Sequence, residues 1–599
     1  MIKILKLLKK HWLAVLLAVT LLVVQANCEL GLPELMSDIV DIGLVQGGVE
    51  DADPAYIAQV AAGQGDSQVQ MRYLWTTAGK MILVTLLSVL CAVVVNLIAS
   101  RVSSQVGRDL RQDVFGKVLS FSHTEMDGFS TASLITRSTN DVQQVQMVVV
   151  MLLRMVLYAP IIGIGGILKV SGTKTGMGWI IVLAVACISV LVLILMVTAM
   201  PKFKKMQTLV DNVNLVSREI LTGMPVIRAF HKEQDEEQRF DRANRALFRT
   251  QLFTGRVMAF MMPTMMLIMN VISIMIVWFG AKGVDSAILQ IGDMMAFMTY
   301  TMQIVMAFMM ITMVSIMLPR AMVSVDRLQE ILDSKPVITQ PEQPESPRKH
   351  TGRLVFDHVS FQYPGAEDYA LRDVSFTAEP GQTTAIIGST GSGKSTLLNL
   401  IPRFYDVTEG AITLDGVDLR DMDLTALRDE LGYVPQKAVL FSGTIGSNIC
   451  YAGDVTPEQM RQAAEVAQSE DFIEEKEQGY DSPIAQGGSN VSGGQKQRLS
   501  IARAVASRPR VYLFDDSFSA LDYQTDARLR KALAESAGDT AVVIVGQRIA
   551  TVMHADKIIV LKDGQIDGVG THEELLRSCE TYREIAVSQL SAKELGMEV

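Results

Sequence analysis

The sequence predicts a polytopic α-helical membrane domain, six transmembrane helices with long intracellular extensions, fused to an α/β phosphate-loop domain. Three observations carry that expectation. Apolar stretches long enough to cross a bilayer recur six times before Lys335. The composition then turns from apolar and Met-rich to charged and ordinary, so the 599 residues divide into more than one domain. Beyond that break, the buried-strand pattern Thr384-Ala385-Ile386-Ile387 runs directly into a glycine-rich loop and a helix start. The mean hydropathy of +0.27 over this length calls for several spans, not one anchor.

The spans fall near residues 12–32, 74–99, 145–168, 178–200, 257–281 and 293–318. The first also fits a secretory signal, because Lys9-Lys10 precede it and small residues follow. Charge asymmetry orients the set. Lys3, Lys6, Lys9 and Lys10 lie before the first span, Glu50, Asp51, Asp53 and Asp66 after it, and the segments Arg101–Arg137 and Lys202–Arg256 are basic. That pattern places both termini in the cytoplasm of a multi-pass protein of the cell (plasma or inner) membrane. The two basic segments read either as helices or as solvated linkers. A net charge of −10 without a basic stripe excludes nucleic acid as a partner. Cys28, Cys91, Cys187, Cys450 and Cys579 match no metal or redox spacing and are expected to be unpaired.

Half of the 34 methionines lie between Met258 and Met322. On the sixth span Met294, Met298, Met302, Met306, Met310, Met313 and Met317 recur at i+3 or i+4, so one helix face carries a Met stripe. Such a wall can repack around dissimilar apolar ligands, or it can pack against neighbouring helices. Met298, Met302, Met306 and Met310 are the candidate cargo contacts. Among the polar residues in apolar runs are Asn96, Arg154, Asn270 and Gln303. A mid-membrane charge costs roughly 2.5–3.5 kcal/mol on insertion scales, so Arg154 needs a wet cavity, a carboxylate partner or the interface.

Domain limits follow as 1–335 for the membrane part, 336–349 for a linker punctuated by Pro336, Pro341, Pro344 and Pro347, and 350–599 for the rear domain. In the rear domain Gly388-Ser389-Thr390-Gly391-Ser392-Gly393-Lys394-Ser395 is a phosphate-binding loop, with Thr396 opening the helix. Backbone amides and the helix N-terminus suit phosphates, Lys394 suits the β- and γ-phosphates of ATP, and the Ser395 hydroxyl suits Mg²⁺. Asp515, closing the apolar strand Val511-Tyr512-Leu513-Phe514, is the second candidate for that ion.

With Val491-Ser492-Gly493-Gly494-Gln495 between these motifs, and Ser519-Ala520-Leu521-Asp522 after them, the chain resembles the ATP-binding-cassette transporters of the type I exporter (type IV) fold. The resemblance extends to Gly570-Thr571-His572-Glu573-Glu574-Leu575-Leu576. It implies an α/β nucleotide-binding domain with a helical subdomain, and adenine stacking on Tyr363. It also implies a metal-site role for Gln436, and Ser492, Gly493, Gly494 and Gln495 closing on ATP bound by a second subunit. Ser133–Val142 and Arg218–Phe230 resemble the family's intracellular loops, whose short transverse helices touch the nucleotide-binding domains. Two positions depart from the pattern. Asp516 stands where the family has the Glu that polarises water, and Gln547 where it has the His that senses the γ-phosphate.

Asp draws its carboxylate back by one C–C bond, ~1.5 Å, and a misplacement of about 1 Å can cost ~10²-fold in rate. Gln donates a hydrogen bond but neither titrates nor carries charge. Gln486-Gly487-Gly488 also lacks the family's Glu-Arg pair, and Val491 replaces Leu. The resemblance therefore implies the degenerate-site half of a bacterial heterodimeric multidrug exporter. Its partner is a homologous half with intact Glu and His, its surroundings are membrane lipid, and its cargo is lipophilic. A homodimeric lipid or lipopeptide flippase and an ATP-gated regulator that does not pump are the alternatives.

Overall fold

The computed structural model describes residues 8–44, 67–172, 176–286 and 288–590. It divides into two compact units, Met1–Lys117 with Thr131–Asp333, and Val118–Ser130 with Ser334–Val599. Lys3, Lys6, Glu50, Asp51, Asp53 and Asp66, used above to orient the chain, lie outside the described residues.

The first unit is all helix. Six helices among the described residues are long and apolar enough to cross a membrane: Lys9–Leu44, Met71–Leu119, Thr131–Gly172, Gly178–Thr222, Glu233–Asp285 and Ile291–Val314. Several are 45 to 53 residues long, whereas a bilayer needs ~20, so they extend well past its edge. The basic segments are thus helical rather than linkers, with a short helix, Met224–Ala229, between the fourth and fifth long ones. Packing relies on small residues, as expected where lipid offers no hydrophobic drive between helices. A Cβ on Gly165 would come within 2.5 Å of Leu30 Cδ1, and one on Gly166 within 2.8 Å of Ile304 Cγ1. The first helix is therefore part of the core, with Ala26 and Leu30 buried and Leu30 O accepting from Tyr300 OH at 3.0 Å. Near its end, buried Asp41 accepts from Gly292 N at 2.6 Å and from Ser37 Oγ at 3.1 Å, fastening the first helix to the sixth.

The first of the two intracellular segments divides between the units. Residues 133–142 belong to the membrane unit, where Arg137 pairs with Glu330 at 2.7 Å and Asp141 accepts from Ser324 Oγ at 2.9 Å. The segment that clusters with the rear unit is Val118–Ser130, built around the short helix His123–Gly128. Ser122 and Glu125 form its capping box, the reciprocal bonds that start a helix with few residues. Glu125 also accepts from Val337 N at 2.8 Å, His123 stacks on Phe404 with ring centroids 4.4 Å apart, and Tyr405 OH donates to Asp127 at 2.7 Å.

The rest of the second unit is α/β. Its main sheet has the strand order Gln565–Gly570, Lys557–Lys562, Thr383–Gly388, Ala541–Val545, Val511–Asp515, Leu431–Val434. All neighbours run parallel except the first pair. Strands buried on both faces explain the unbroken apolar runs Ala541–Val545 and Val511–Phe514. An antiparallel sheet of Leu371–Ala378, Leu354–Phe361, Glu409–Leu414 and Val417–Asp418 packs beside it. A helical part, with Pro457–Val466, Glu470–Glu474 and Gly493–Ala506, has its own core around Ile445, Phe472, Ile473 and Leu499.

Candidate nucleotide site and transmembrane cavities

Thr383–Gly388 is an interior strand of the parallel sheet, so the glycine loop emerges at its carboxyl end, where open α/β sheets bind ligands. Gly391 and Gly393 adopt φ of +85° and +95°, and a Cβ on Gly393 would lie 2.8 Å from Ala370 O. Only glycine allows this turn and so aims the loop toward the helix Lys394–Leu400. Lys394 Nζ donates to Gly388 O at 2.9 Å, Ser389 O at 2.7 Å and Ser392 Oγ at 3.4 Å. Burial lowers the pKa of this ammonium, against the pull of Asp516 and Asp515. An anion brought into the loop can take over donors that the loop now satisfies itself.

Ser395 Oγ donates to Asp515 Oδ1 at 2.9 Å, which places two hard oxygens side by side. Asp515 is buried; burial raises its carboxyl pKa, and the Ser395 bond opposes the rise. Tyr363 shares a hydrogen bond with Thr396 Oγ1 at 2.9 Å. Tyr363, Thr390, Lys394, Asp515, Gln436 and Gln547 face one cavity of about 360 Å³. The glycine cradle, the ammonium and the paired oxygens fit the triphosphate and Mg²⁺ of ATP. Lys394 and the loop amides would hold phosphate, Ser395, Asp515 and Gln436 the ion, and Tyr363 the base.

Asp516 also faces this cavity, and its environment is unusual. Its backbone sits at φ +44°. One carboxylate oxygen, Oδ2, accepts from Gln547 Nε2 at 3.0 Å and from Gln436 Nε2 at 3.4 Å. Burial pushes its pKa up, while the Gln436 and Ser519 hydrogen bonds oppose the rise. The two residues that depart from the family pattern are thus bonded to each other. Sequence reasoning missed Gln589, at the end of the helix Glu580–Gln589. Its Nε2 donates to Gln547 O at 2.9 Å and its Oε1 accepts from Ile549 N at 2.8 Å, a two-sided clasp on the loop carrying Gln547. No local motif announces it.

Ser492, Gly493, Gly494 and Gln495 do not line this cavity. They form the start of the helix Gly493–Ala506, where Ser492 Oγ accepts from Gln495 N at 3.3 Å and Gln495 Oε1 from Ser492 N at 3.0 Å.

In the membrane unit the Met stripe divides. Met306, Met310 and Met313 line an apolar cavity of about 450 Å³, facing Met258, Met261 and Met265 of the fifth helix. Met298 packs into the bundle core, and Met302, 48% exposed, does not line the cavity. Each step of four residues overshoots a helical turn by about 40°, so from Met298 to Met310 the stripe swings by about 120°. A slanting stripe cannot serve one cavity along its length. Arg154 lines a second, smaller cavity of about 180 Å³ with Gln25, Asn96, Tyr158 and Met310. Sequence reasoning also overlooked Gln25 and Glu29 in the first apolar run, where averaging hydropathy over a window hides single polar residues.

The family model described as "ABC transporter transmembrane region" matches residues 15–308, and the "ABC transporter" model matches residues 371–519. An uncharacterized ABC transporter ATP-binding protein of Mycobacterium tuberculosis is 40% identical over 578 residues, covering 96% of this chain and 95% of the relative. An ATP-dependent lipid A-core flippase of Desulfotalea psychrophila is 33% identical over 494 residues, 80% of this chain and 84% of the flippase. A multidrug efflux ATP-binding/permease protein of Mycobacterium tuberculosis is 32% identical over 489 residues, 81% of this chain but 40% of that longer protein. Among solved structures, a bacterial Atm1-family ABC exporter with ATP bound aligns with a TM-score of 0.75 at 26% identity, covering 98% of this chain and 99% of that one. Matched along nearly its whole length, in both its helical and its ATP-binding parts, the chain belongs to the ABC transporter family.

Proposed function

We propose that this chain is the degenerate-site half of a heterodimeric exporter that moves lipophilic compounds, multiple drugs among them, out of the cell. As an ABC exporter half, it couples ATP hydrolysis to transport together with a second half. The observation that carries the finer proposal is the Asp516–Gln547–Gln436 triangle. A general base must reach the proton it abstracts. Here a carboxylate one methylene short of Glu is held by two neutral amides, and no imidazole lines the cavity among the described residues. ATP, when bound, supplies the phosphoanhydride bond. Lys394 and the loop orient it, while Asp516 activates water poorly.

The partner in this proposal is a homologous half with an intact Glu and His. Ser492, Gly493, Gly494 and Gln495 of this chain close over the partner's ATP, presenting amides and a helix N-terminus to the γ-phosphate. Both termini face the cytoplasm across the cell membrane, in keeping with the basic segments Arg101–Arg137 and Lys202–Arg256. The Met-lined cavity supports lipophilic cargo, since unbranched, polarisable side chains adapt to different apolar shapes. A homodimeric lipid flippase is the second possibility, favoured by the flippase relative. Isolating the chain from its native membrane separates the two: a co-purifying subunit of similar size with Glu and His at the two positions is expected. Recovery of this chain alone, hydrolysing ATP, would instead favour the homodimer. Cargo uptake by sealed inverted vesicles then separates a pump from an ATP-gated regulator.

A further inference from the structure

Arg154 sits within Leu152–Val156, a stretch of π-helix in the third spanning helix, and such local widenings often accompany functional sites. Arg154 is exposed and makes no hydrogen bond or ion pair among the described residues. Glu29 makes no ion pair with it, and its carboxylate is bonded to neutral donors instead. Glu29 accepts from Gln25 Nε2 at 2.9 Å, from Ser88 Oγ at 3.2 Å and from Tyr158 OH. Two of those donors, Gln25 and Tyr158, line the same 180 Å³ cavity as Arg154, together with Asn96. The cavity thus has one fixed positive charge with open donor capacity, and the Glu29 carboxylate is engaged by Gln25, Ser88 and Tyr158. An intramembrane ion left in this condition marks a ligand path.

Met310 lines both this polar cavity and the 450 Å³ Met cavity, so the two meet at one side chain. We propose that the pair forms a single site for an amphiphile with one apolar tail and one oxyanion head. The tail lies among Met306, Met310 and Met265, and the head is held by Arg154 with Asn96 beside it. Guanidinium suits carboxylate, sulfate and phosphate monoester alike, because its planar fork matches their oxygens. Taken together the two cavities fall in the ~300–1,000 Å³ range of small-molecule sites, which favours a single-tailed compound over a two-chain membrane lipid. The site rests on the lipophilic-export function proposed above and adds the charge class of the cargo.

The test is equilibrium binding to the full chain, purified with its partner in phosphatidylcholine nanodiscs. The probes are a dansyl-labelled undecanoic acid and its methyl ester. The wild type should bind the acid about tenfold more tightly than the ester, the effect of one charge-assisted contact. Arg154→Gln should erase that preference while still binding the ester, which also shows that the variant is folded. Arg154→Lys should retain a preference of several-fold, and Glu29→Gln should leave it intact. Met310→Ala should weaken both probes alike. Equal binding of acid and ester by the wild type, or a preference that survives Arg154→Gln, overturns the anion site and leaves lipophilic export standing. Loss of the preference in Glu29→Gln would make Arg154 a counter-ion and likewise overturn it. Binding of neither probe would bring down both the site and the cargo class. Phosphatidic acid added to the discs should not displace the acid; displacement would reassign the site to a membrane lipid headgroup.

Discussion

The nucleotide cavity and the Met cavity are similar in size, about 360 and 450 Å³, and opposite in construction. In the first, Lys394 spends directed hydrogen bonds on the glycine loop, Ser395 on Asp515 and Gln547 on Asp516, so residue type and position are both fixed. The Met cavity has no such directed bonds among its methionines, and its shape depends on side-chain rotamers. A site that must hold one ligand in one geometry is built from bonds that fail when an atom moves by 1 Å. A site that accepts several shapes is built from contacts that tolerate such movement. Single substitutions should therefore act sharply on the first cavity and gradually on the second.

The largest expected effect restores the missing chemistry. Asp516→Glu with Gln547→His should raise the steady-state ATPase of the purified chain by on the order of 10²-fold, the magnitude of repairing a misplaced catalytic group. An unchanged rate would locate the defect elsewhere in the site. Smaller, and graded, is the response of the Met cavity. Met306→Ala with Met310→Ala should change the Kd of individual cargo compounds by about tenfold and reorder them. The Leu replacements should be milder because they conserve volume, and Met298→Ala or Met302→Ala should leave the order intact. If all four positions respond equally, the slant of the stripe has no functional meaning. The smallest effect belongs to the clasp on the loop carrying Gln547. Gln589→Ala removes two hydrogen bonds worth roughly 0.5–1.5 kcal/mol each, so kcat of the repaired chain should fall by a few-fold with KM for ATP little changed. A larger change in KM than in kcat would assign Gln589 to nucleotide binding.

The same contrast explains what could be read from the sequence. The phosphate loop, Asp515, Gln436 and Gln547 stood out because each has a fixed chemical task at a fixed spacing. The convergence of Gln436 and Gln547 on one oxygen of Asp516 did not, because segments far apart in sequence bring them together. The six apolar helices were legible from length and hydropathy. The rotation of the Met stripe was hidden in the mismatch between a step of four and a period of 3.6. Residues 133–142 resemble part of the first intracellular loop, and the neighbouring stretch Val118–Ser130 is the one that clusters with the rear unit. The capping box at Ser122 and Glu125 marks a short helix locally, yet its attachment to Phe404 and Tyr405 is a long-range fact. Glu29 and Gln589 escaped because neither belongs to a motif: one is a single carboxylate in an apolar run, the other a glutamine near the end of the described chain.

The central claim, that this chain holds the poor site and completes the good one, is tested most directly by the ATPase of the assembled pair. A Cβ on Gly494 would lie 3.4 Å from Ala520 O, so the first side-chain atom of Gly494→Asp is admitted without a backbone shift. It would set a carboxylate where the partner's γ-phosphate is received. That substitution should lower turnover by on the order of 10²-fold or more. Lys394→Ala should weaken ATP retention at this chain's own site and leave a substantial part of the hydrolysis. The opposite result, hydrolysis abolished by Lys394→Ala and preserved in Gly494→Asp, would contradict the account and place the productive site on this chain.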